Sequence, residues 1–320
     1  MRQTQRPLLS QQMILALLLI LEIGIFAKTG THFFTFENFL KVSRQVVPLG
    51  LIALAMTPVI LTGGIDLSVG STLGLCAVIF GKTWRDFGFS PAEAALVALA
   101  AGAAAGAINA LLITLLRIPP LIVTLGSYSL YRGLAIGITG GSDNYTNLPD
   151  SFTYWGTGSF PGGIPTPLPL FILAAIFFWL LVHRSSTGRA LSAIGYSPEG
   201  ARHAGVPVNA RVGLVYVLAG LASALAALVY VAHFGQATAD AGTEYELKAI
   251  AAVVLGGTSI FGGRASVTGT LLGLFAIALL QNGLELSERP SEMVGILTGF
   301  LLLLAIGLDL LSRKMQRRRA

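Results

Sequence analysis

The chain has 320 residues, of which 54% are hydrophobic and only 11% are charged, and its mean hydropathy is +0.74. This composition excludes a soluble domain of the same size and indicates a polytopic membrane protein. One spanning helix takes roughly 20 residues, so about ten helices fit with only short loops between them. Membrane topology explains the net charge of +6 better than nucleic-acid binding does.

Apolar runs separated by glycine, proline and charged residues predict the helices in chain order. In the first half they cover 12–27, 45–62, 66–81, 92–116 and 119–138. In the second half they cover 166–183, 211–234, 246–260, 266–284 and 291–311. The first run follows basic residues but lacks a small-residue cleavage site, so we expect a retained helix and not a removed signal peptide. Residues 1–320 are expected to form a single transmembrane domain.

The positions of lysine and arginine predict the orientation, because short cytoplasmic loops carry an excess of these residues. An inside N-terminus places thirteen of the 21 basic residues in the cytoplasm. They are Arg2, Arg6, Arg117, Arg184, Arg189, Arg202, Arg211, Arg264, Arg313, Lys314, Arg317, Arg318 and Arg319. The stretch 139–165 carries none and is rich in Gly, Ser, Thr and Pro, so it is predicted to be an outside loop. The basic tail 312–320 then returns to the cytoplasm.

A short internal similarity suggests two related halves. Ser68 to Leu75 reads SVGSTLGL and Ser266 to Leu274 reads SVTGTLLGL. Each follows a pair of glycines, Gly63-Gly64 in the first half and Gly256-Gly257 in the second. Repeated halves are common in transporters, although chance recurrence of small residues in membrane helices is the alternative.

The segment Leu61 to Leu75, LTGGIDLSVGSTLGL, is the most informative stretch. Its glycines permit a helix to break and restart inside the membrane. Backbone groups freed in this way must face protein or water. Asp66, in the middle of this segment, is therefore a functional candidate, together with Gly63, Gly64 and Ser68.

The segment 184–211 is the longest polar stretch predicted to face the cytoplasm. Ser197, Pro198 and Glu199 fit a helix start, with a capping serine, a proline at the first position and an acid in the first turn. Gly205 and Pro207 form a stop signal. The sequence predicts a surface helix of about two turns that docks on another protein, and an ordinary connecting loop is the alternative.

Several other functions lack the residues that they need. A phosphate-binding loop requires glycine, four residues and then Gly-Lys-Ser/Thr, and Gly81-Lys82-Thr83 has Cys76 where that first glycine belongs. The histidines are scattered, and a Gly-x-Ser-x-Gly motif is absent. We therefore expect neither enzymatic activity nor a cofactor or metal site. A second glycine-rich segment, 255–269, contains Gly256, Gly257, Gly262 and Gly263 but has no lysine in a phosphate-binding position.

Polar side chains within the spans are the remaining signal, because they usually face the interior of a helical bundle. Hydroxyl, amide and aromatic groups suit a neutral polyol such as a sugar. Helix–helix hydrogen bonding is the alternative for each of them. Asp66 is the one obvious intramembrane carboxylate, which argues against ion coupling. The candidates for the translocation path are Asn109, Thr124, Tyr128, Tyr131 and Asn282, with Arg132 and Gln281 as further polar positions.

Three motifs in order resemble a known family: GGIDLSVGS at 63–71, the Gly188-Arg189 loop with Ala193-Ile194-Gly195, and VLGGTS at 254–259. The chain resembles the permease subunits of bacterial ABC importers for simple sugars, the group that includes ribose, rhamnose and autoinducer-2 permeases. The resemblance covers about residues 45–310. The segment 119–133 looks most like the rhamnose and autoinducer-2 branches.

The resemblance implies an all-α membrane permease of the vitamin-B12-importer type with about ten helices. It implies a homodimer or a pair with a sister permease in the bacterial cytoplasmic membrane, a separate cytoplasmic ATPase and an extracytoplasmic sugar-binding protein. Asp66 and the two glycine-rich segments would shape the cytoplasmic gate. The docking region would use Gly188, Arg189, Gly195, Glu199, Ala201, Arg202 and Gly205.

The chain departs from the family pattern at a few positions. Gly195-Tyr196-Ser197 and Gly200-Ala201 stand where Gly-x-Asn and an alanine pair are frequent, and Ala265 replaces a common glycine. These departures concern the docking contacts. A secondary transporter driven by an ion gradient is the main rival function, and an exporter built on the same scaffold is a weaker one.

Overall fold

The computed structural model describes residues 11–290, 292–301, 303 and 307. The predicted basic tail and the first ten residues lie outside this range. The helices are α1 (Gln11–Thr29), α2 (Phe36–Leu61), α3 (Val69–Arg85), α4 (Pro91–Thr114), α5 (Pro120–Ile138), α6 (Asp150–Thr157), α7 (Leu168–Trp179), α8 (Ser186–Tyr196), α9 (Pro198–His203), α10 (Val208–Phe234), α11 (Tyr245–Leu255), α12 (Val267–Leu286) and α13 (Glu292–Leu301). Two isolated bridges are the only β pairing in the described part of the chain. The all-helical class is confirmed.

Five described helices are long and apolar enough to cross a membrane: α2, α4, α5, α10 and α12. A sixth span results if Leu168–Arg184, in which a π-helical turn extends α7, is counted together with α8, which follows at a bend of 65°. Helices α1, α3, α11 and α13 coincide with the remaining predicted runs, and α3 with 17 residues, α11 with 11 residues and α13 are shorter than the five spans.

Two predicted boundaries are wrong, and local chemistry explains both. Helix α2 begins at Phe36 and not at 45, because Thr35 caps it by accepting a hydrogen bond from the Asn38 N–H at 3.2 Å. In this first part of α2, Lys41 pairs with Glu285 at 2.7 Å and Arg44 donates to the Ser159 hydroxyl at 2.6 Å. Helix α11 ends at Leu255 and not at 260, because the following glycine pair closes it.

Two helices were not predicted. Helix α6 lies within the predicted outside loop and begins directly after Pro149, and its short, mixed sequence carries no clear apolar period. Helix α8 begins after Ser185, whose hydroxyl accepts a hydrogen bond from the Gly188 N–H at 3.0 Å. Both are too short and polar to stand out in a search for membrane spans.

Helix α2 forms the centre of the bundle. Within its apolar window 89% of the residues are buried, against 28% for α5 at the periphery. Helices α10, α11, α12 and α7 pack around α2, while α3 is enclosed by α4, α5 and α10. The core is therefore built around two helices, α2 and α3, which are joined by a short non-helical connection.

Helices α4 and α10 approach closely through glycine, a common device where lipid provides little hydrophobic driving force. A Cβ placed on Gly102 would lie 2.6 Å from the Ala224 Cβ. A Cβ on Gly106 would overlap the Tyr216 carbonyl oxygen, and one on Gly220 would overlap the Gly102 carbonyl oxygen. The three glycines therefore fix the distance between the two helices.

An ion pair fastens the connection after α5 to the end of α3. The Arg85 guanidinium donates to both carboxylate oxygens of Asp143, at 3.1 and 2.5 Å, and lies 4.1 Å from the centre of the Tyr145 ring. The hydrogen bonds from Arg85 hold the pKa of Asp143 below its ordinary value. Tyr145 in turn exchanges backbone hydrogen bonds with Ala237, at 3.0 and 2.9 Å.

The close packing of α4 against α10 makes a direct prediction. Gly106→Ala should lower the midpoint of thermal unfolding in detergent, because overpacking of a tight contact costs about 1–3 kcal/mol. Gly126→Ala on α5 is the matched control, since a Cβ there meets no atom within 4 Å, and the better helix propensity of alanine should leave stability equal or higher. Equal midpoints for the two variants would contradict the packing described for α4 and α10.

Candidate translocation and docking site

The connection between α2 and α3 begins with a glycine helix stop. Gly63 has a left-handed backbone with φ of +82°, and its N–H donates to the Ile60 carbonyl at 2.9 Å. The Gly64 N–H donates to the Val59 carbonyl at 3.2 Å. This pair of bonds is the Schellman motif, which satisfies carbonyls at the end of a helix. The second glycine is needed for space, because a Cβ on Gly64 would overlap the Tyr216 hydroxyl.

Asp66 organises the rest of this connection. Its side chain is only 2% exposed, and one carboxylate oxygen accepts from the Ser68 N–H at 2.9 Å and from the Ser68 hydroxyl at 2.6 Å. The Asn109 amide donates to the same hydroxyl at 2.9 Å, and Ser127 donates to the Asn109 oxygen at 2.5 Å. A chain of hydrogen bonds thus joins the start of α3 to α4 and α5.

Helix α5 supports the same connection at a second point. The Thr124 hydroxyl lies 3.1 Å from the Ile65 carbonyl and 3.0 Å from the Pro120 carbonyl, to both of which it can donate. Tyr131, two turns along α5, donates to the Ala105 carbonyl of α4 at 2.9 Å. Tyr216 of α10 faces Gly64, and its buried hydroxyl has no hydrogen-bond partner among the described residues.

The predicted path residues therefore fall into two places. Gly63, Gly64, Asp66, Ser68, Asn109 and Thr124 form one connected cluster, with Tyr131 beside it and Tyr128 half-buried on α5. Asn282 lies apart from them, because it exchanges hydrogen bonds with Asn38 at 2.9 and 2.8 Å, near the opposite end of α2. Helix–helix hydrogen bonding, the alternative raised for each of these residues, describes the contacts of Asn282 and Asn109.

The second glycine-rich segment repeats the helix stop of the first. Gly257 has φ of +93°, its N–H donates to the Val254 carbonyl at 3.0 Å, and the Thr258 N–H donates to the Val253 carbonyl at 3.2 Å. The motif is the same, but the left-handed residue is the first glycine of the pair at 63 and the second at 257. The two glycine-rich segments therefore share the same helix stop. The position of the left-handed residue within the glycine pair differs by one residue.

The two glycine-rich segments meet at the end of α8. The Gly263 N–H donates to the Leu61 carbonyl at 2.9 Å, and the Ser192 hydroxyl of α8 donates to the Gly263 carbonyl at 2.5 Å. A Cβ on Gly195 would overlap both the Leu61 carbonyl oxygen and the Gly263 nitrogen. Gly262 approaches the same point, since its Cβ would lie 3.0 Å from the Gly195 Cα. We call this meeting of α8 with Leu61 and Gly262–Gly263 the glycine junction.

The predicted docking residues divide into exposed and structural positions. Arg189, Glu199, Arg202 and Gly205 are exposed. Gly188 and Ala201 are buried, and Ala201 packs with Ile194 and Val208 in a small apolar cluster under α9. Gly195 is half-buried in the glycine junction.

The short helix predicted after Ser197 is confirmed as α9. Ser197 caps it by accepting a hydrogen bond from the Gly200 N–H at 3.0 Å, with Pro198 in the first turn. Helices α8 and α9 together present one exposed polar surface next to the glycine junction.

Sequence reasoning undervalued a second buried polar region. The segment 235–244 is not helical, and the Arg132 guanidinium of α5 donates to the Ala239 carbonyl and, at 3.0 Å, to the Ala241 carbonyl. Glu246, in the first turn of α11, is 6% exposed and lies against Gly70 of α3. In the sequence Arg132 is one polar position among several, and Glu246 stands at the beginning of an apolar run.

Glu22 of α1 is also buried. The expectation of a single intramembrane carboxylate at Asp66 is therefore wrong, because Glu22 and Glu246 lie in predicted apolar runs as well. The number of intramembrane carboxylates therefore does not argue against ion-coupled transport by this chain.

A helical membrane bundle in which two glycine-rich segments meet an exposed polar helix pair is the arrangement of a membrane transport protein. The family model described as a branched-chain amino acid transport system permease component matches residues 38–306, and the chain belongs to this family. The chain is the membrane permease of an ATP-binding-cassette importer, as its motifs indicated. No solved structure gives a significant match.

Curated relatives cover nearly the whole chain. The autoinducer 2 import system permease protein LsrD of Photorhabdus luminescens is 39% identical over 303 residues, which are 91% of this chain and 89% of the relative. The protein of that name from Yersinia enterocolitica is 38% identical over 300 residues, covering 92% and 90%. That from Salmonella paratyphi B is 38% identical over 302 residues, covering 93% and 90%.

The Asp66 contacts predict different effects for two substitutions. Asp66→Glu should lower the unfolding midpoint and impair uptake, because the longer side chain cannot keep both bonds to Ser68, and a buried unsatisfied group costs about 1–3 kcal/mol. Asp66→Asn should retain more stability, since its amide oxygen can accept the same two bonds. Thermal unfolding of the purified protein and solute uptake are the measurements. Wild-type behaviour of Asp66→Glu would exclude this role.

Proposed function

We propose that this permease forms part of the path by which a bacterium imports a monosaccharide or related small polyol, of the rhamnose, ribose or autoinducer-2 kind. A cytoplasmic ATPase subunit supplies ATP hydrolysis, and an extracytoplasmic binding protein delivers the solute. The permease works as a homodimer or with a sister permease. The relatives named for autoinducer 2 support this solute class over the amino acids in the family description.

The glycine junction is the observation that carries this proposal. An ATPase that binds α8 and α9 contacts elements that touch both glycine-rich segments without an intervening layer. Movement of α8 therefore displaces Leu61 at the end of α2 and Gly263 of the second glycine-rich segment together. Because Asp66 and Ser68 tie the same connection to α4 and α5, the movement reaches the predicted gate.

Interhelix contacts support a ten-span topology of the vitamin-B12-importer type. The start of α2 meets the end of α12 through Asn38 and Asn282, and the start of α12 meets the end of α7 through His183, whose Nε2 accepts from the Val267 N–H at 3.2 Å. The first of these contacts lies at one end of the bundle and the second lies at the opposite end. The positive-inside rule assigns the end that carries Arg189, Arg202 and Arg264 to the cytoplasm, and we propose that both termini lie on that side. The loop at 139–165 is then outside.

An ion-coupled secondary transporter is the rival, and membership of an ABC permease family does not favour it. The two functions differ in their need for an ATPase. Uptake by the permease complex that follows an ion gradient in the absence of ATP would support the rival.

The docking surface is tested by a double substitution. Glu199→Ala with Arg202→Ala should reduce co-purification of the ATPase subunit of this import system at least tenfold, equivalent to about 1.4 kcal/mol, because both side chains are exposed on α9. ATP-dependent uptake should fall with it.

The matched control is Lys28→Ala with Glu288→Ala, which also removes one exposed base and one exposed acid, at the end of the bundle assigned to the outside. It should leave ATPase association unchanged. Undiminished association of the α9 variant would count against this docking surface, and a wild-type permease that never associates with an ATPase would overturn the proposed function.

A further inference from the structure

A polar pocket of about 700 Å³ lies between the start of α11, the outer part of α12 and the start of α13. It is separate from the Asp66 cluster and from the glycine junction. Six of its lining side chains are charged or polar: Glu244, Lys248, Gln281, Glu285, Arg289 and Glu292. The volume falls within the range of about 300–1,000 Å³ typical of small-molecule sites.

The pocket lies near the outer end of α12. Gln281 is about 7.5 Å before the end of this helix at Leu286, at 1.5 Å per residue. Glu244, just before the start of α11, lines the pocket together with this part of α12. Lys248 and Glu244 pair there at 3.6 Å. Charged groups in a membrane protein normally face water or protein, because they are costly in lipid.

The charges around the pocket balance. Three glutamates and two bases line it, and Lys41 supplies a third base by pairing with Glu285 at 2.7 Å. An anionic or cationic occupant would meet no excess of opposite charge. Carboxylates accept hydrogen bonds, lysine and arginine donate them, and the glutamine amide does both, which is the set of groups that hydroxyl-rich neutral molecules need.

We propose that this pocket is an outward-opening, water-filled site that binds the imported solute as a neutral polyhydroxylated compound, with Gln281, Glu244 and Lys248 at its inner end. The proposal rests on the proposed function and adds the residues that take the solute. Helix α11 runs from the pocket towards the second glycine-rich segment, because the chain passes from Glu244 through eleven helical residues to Gly256. The segment that follows Gly256 then reaches the glycine junction at Gly262 and Gly263.

The first test is access to water. The native Cys76 is fully buried, so Gln281→Cys can be labelled selectively in membranes that contain the assembled complex. A membrane-impermeant cationic methanethiosulfonate should react with it at least tenfold faster than with Leu173→Cys, a control at an exposed apolar position on α7. Equal, slow reaction at both positions overturns the proposal. A second result would also overturn the proposal. It is cross-linking of Gln281→Cys to a second permease by a short bifunctional reagent when the impermeant reagent does not react with this cysteine.

The second test is chemical selectivity. Labelling of Gln281→Cys is measured with D-ribose, L-rhamnose, D-sorbitol, ribose 5-phosphate, glucosamine and L-leucine. At least one neutral polyol should slow labelling threefold or more, and the charged compounds and leucine should not. Protection by a charged compound or leucine, or by none of the neutral compounds, overturns the assignment.

A third measurement separates this proposal from the proposed function. Gln281→Leu should reduce uptake at least fivefold while ATPase co-purification stays at the wild-type level, whereas Phe275→Leu, another exposed position on α12, should leave both unchanged. Normal uptake by Gln281→Leu would contradict the solute site even if ATP-driven import is established.

Discussion

The need to satisfy non-helical backbone inside a membrane bundle governs this structure. Two stretches, 62–68 and 235–244, leave the helical hydrogen-bond pattern within the bundle, where lipid offers no replacement. In the first, Asp66 binds the Ser68 N–H, and the Ile65 carbonyl lies within reach of the Thr124 hydroxyl. In the second, Arg132 binds two carbonyls. The buried polar residues of α5 thus serve the irregular backbone of other segments.

This constraint places the polar groups where a transporter can use them. Backbone that is bound by side chains from neighbouring helices can change partners without unfolding a helix. The two irregular stretches lead into α3 and α11, and the two glycine-rich segments both contact α8. Helix α11 and the segment that follows it thus run from the proposed solute pocket to the glycine junction, which lies beside the proposed docking surface.

Much of the bundle could be predicted from the sequence, because long apolar runs between glycine, proline and charge identify α4, α5, α10 and α12 with little ambiguity. The capped helix after Ser197 could also be predicted, since its signals are local. Asp66, Ser68 and Asn109 could be listed as candidates, but periodicity does not show that Ser68 bonds both of the others. Long-range packing decides such contacts.

The missed features share one cause. Glu246 and Glu22 lie in apolar runs, and α8 is short and polar, so each looks unremarkable until its neighbours are known. The glycine junction brings residues 61, 195 and 263 together across more than half of the chain, which a single sequence does not reveal. The glycine pairs marked the correct places, and only the structure shows which glycine of each pair adopts the left-handed backbone.

If the glycine junction transmits the movement of the ATPase to the gate, Gly195→Ala should uncouple ATP hydrolysis from uptake. A Cβ at this position overlaps the Leu61 carbonyl oxygen and the Gly263 nitrogen, whereas a Cβ at Gly213 makes only an ordinary contact at 3.7 Å. In reconstituted vesicles we predict that Gly195→Ala keeps its ATPase bound and hydrolysing ATP while uptake falls at least tenfold, and that Gly213→Ala transports normally. Wild-type uptake by Gly195→Ala would contradict the account.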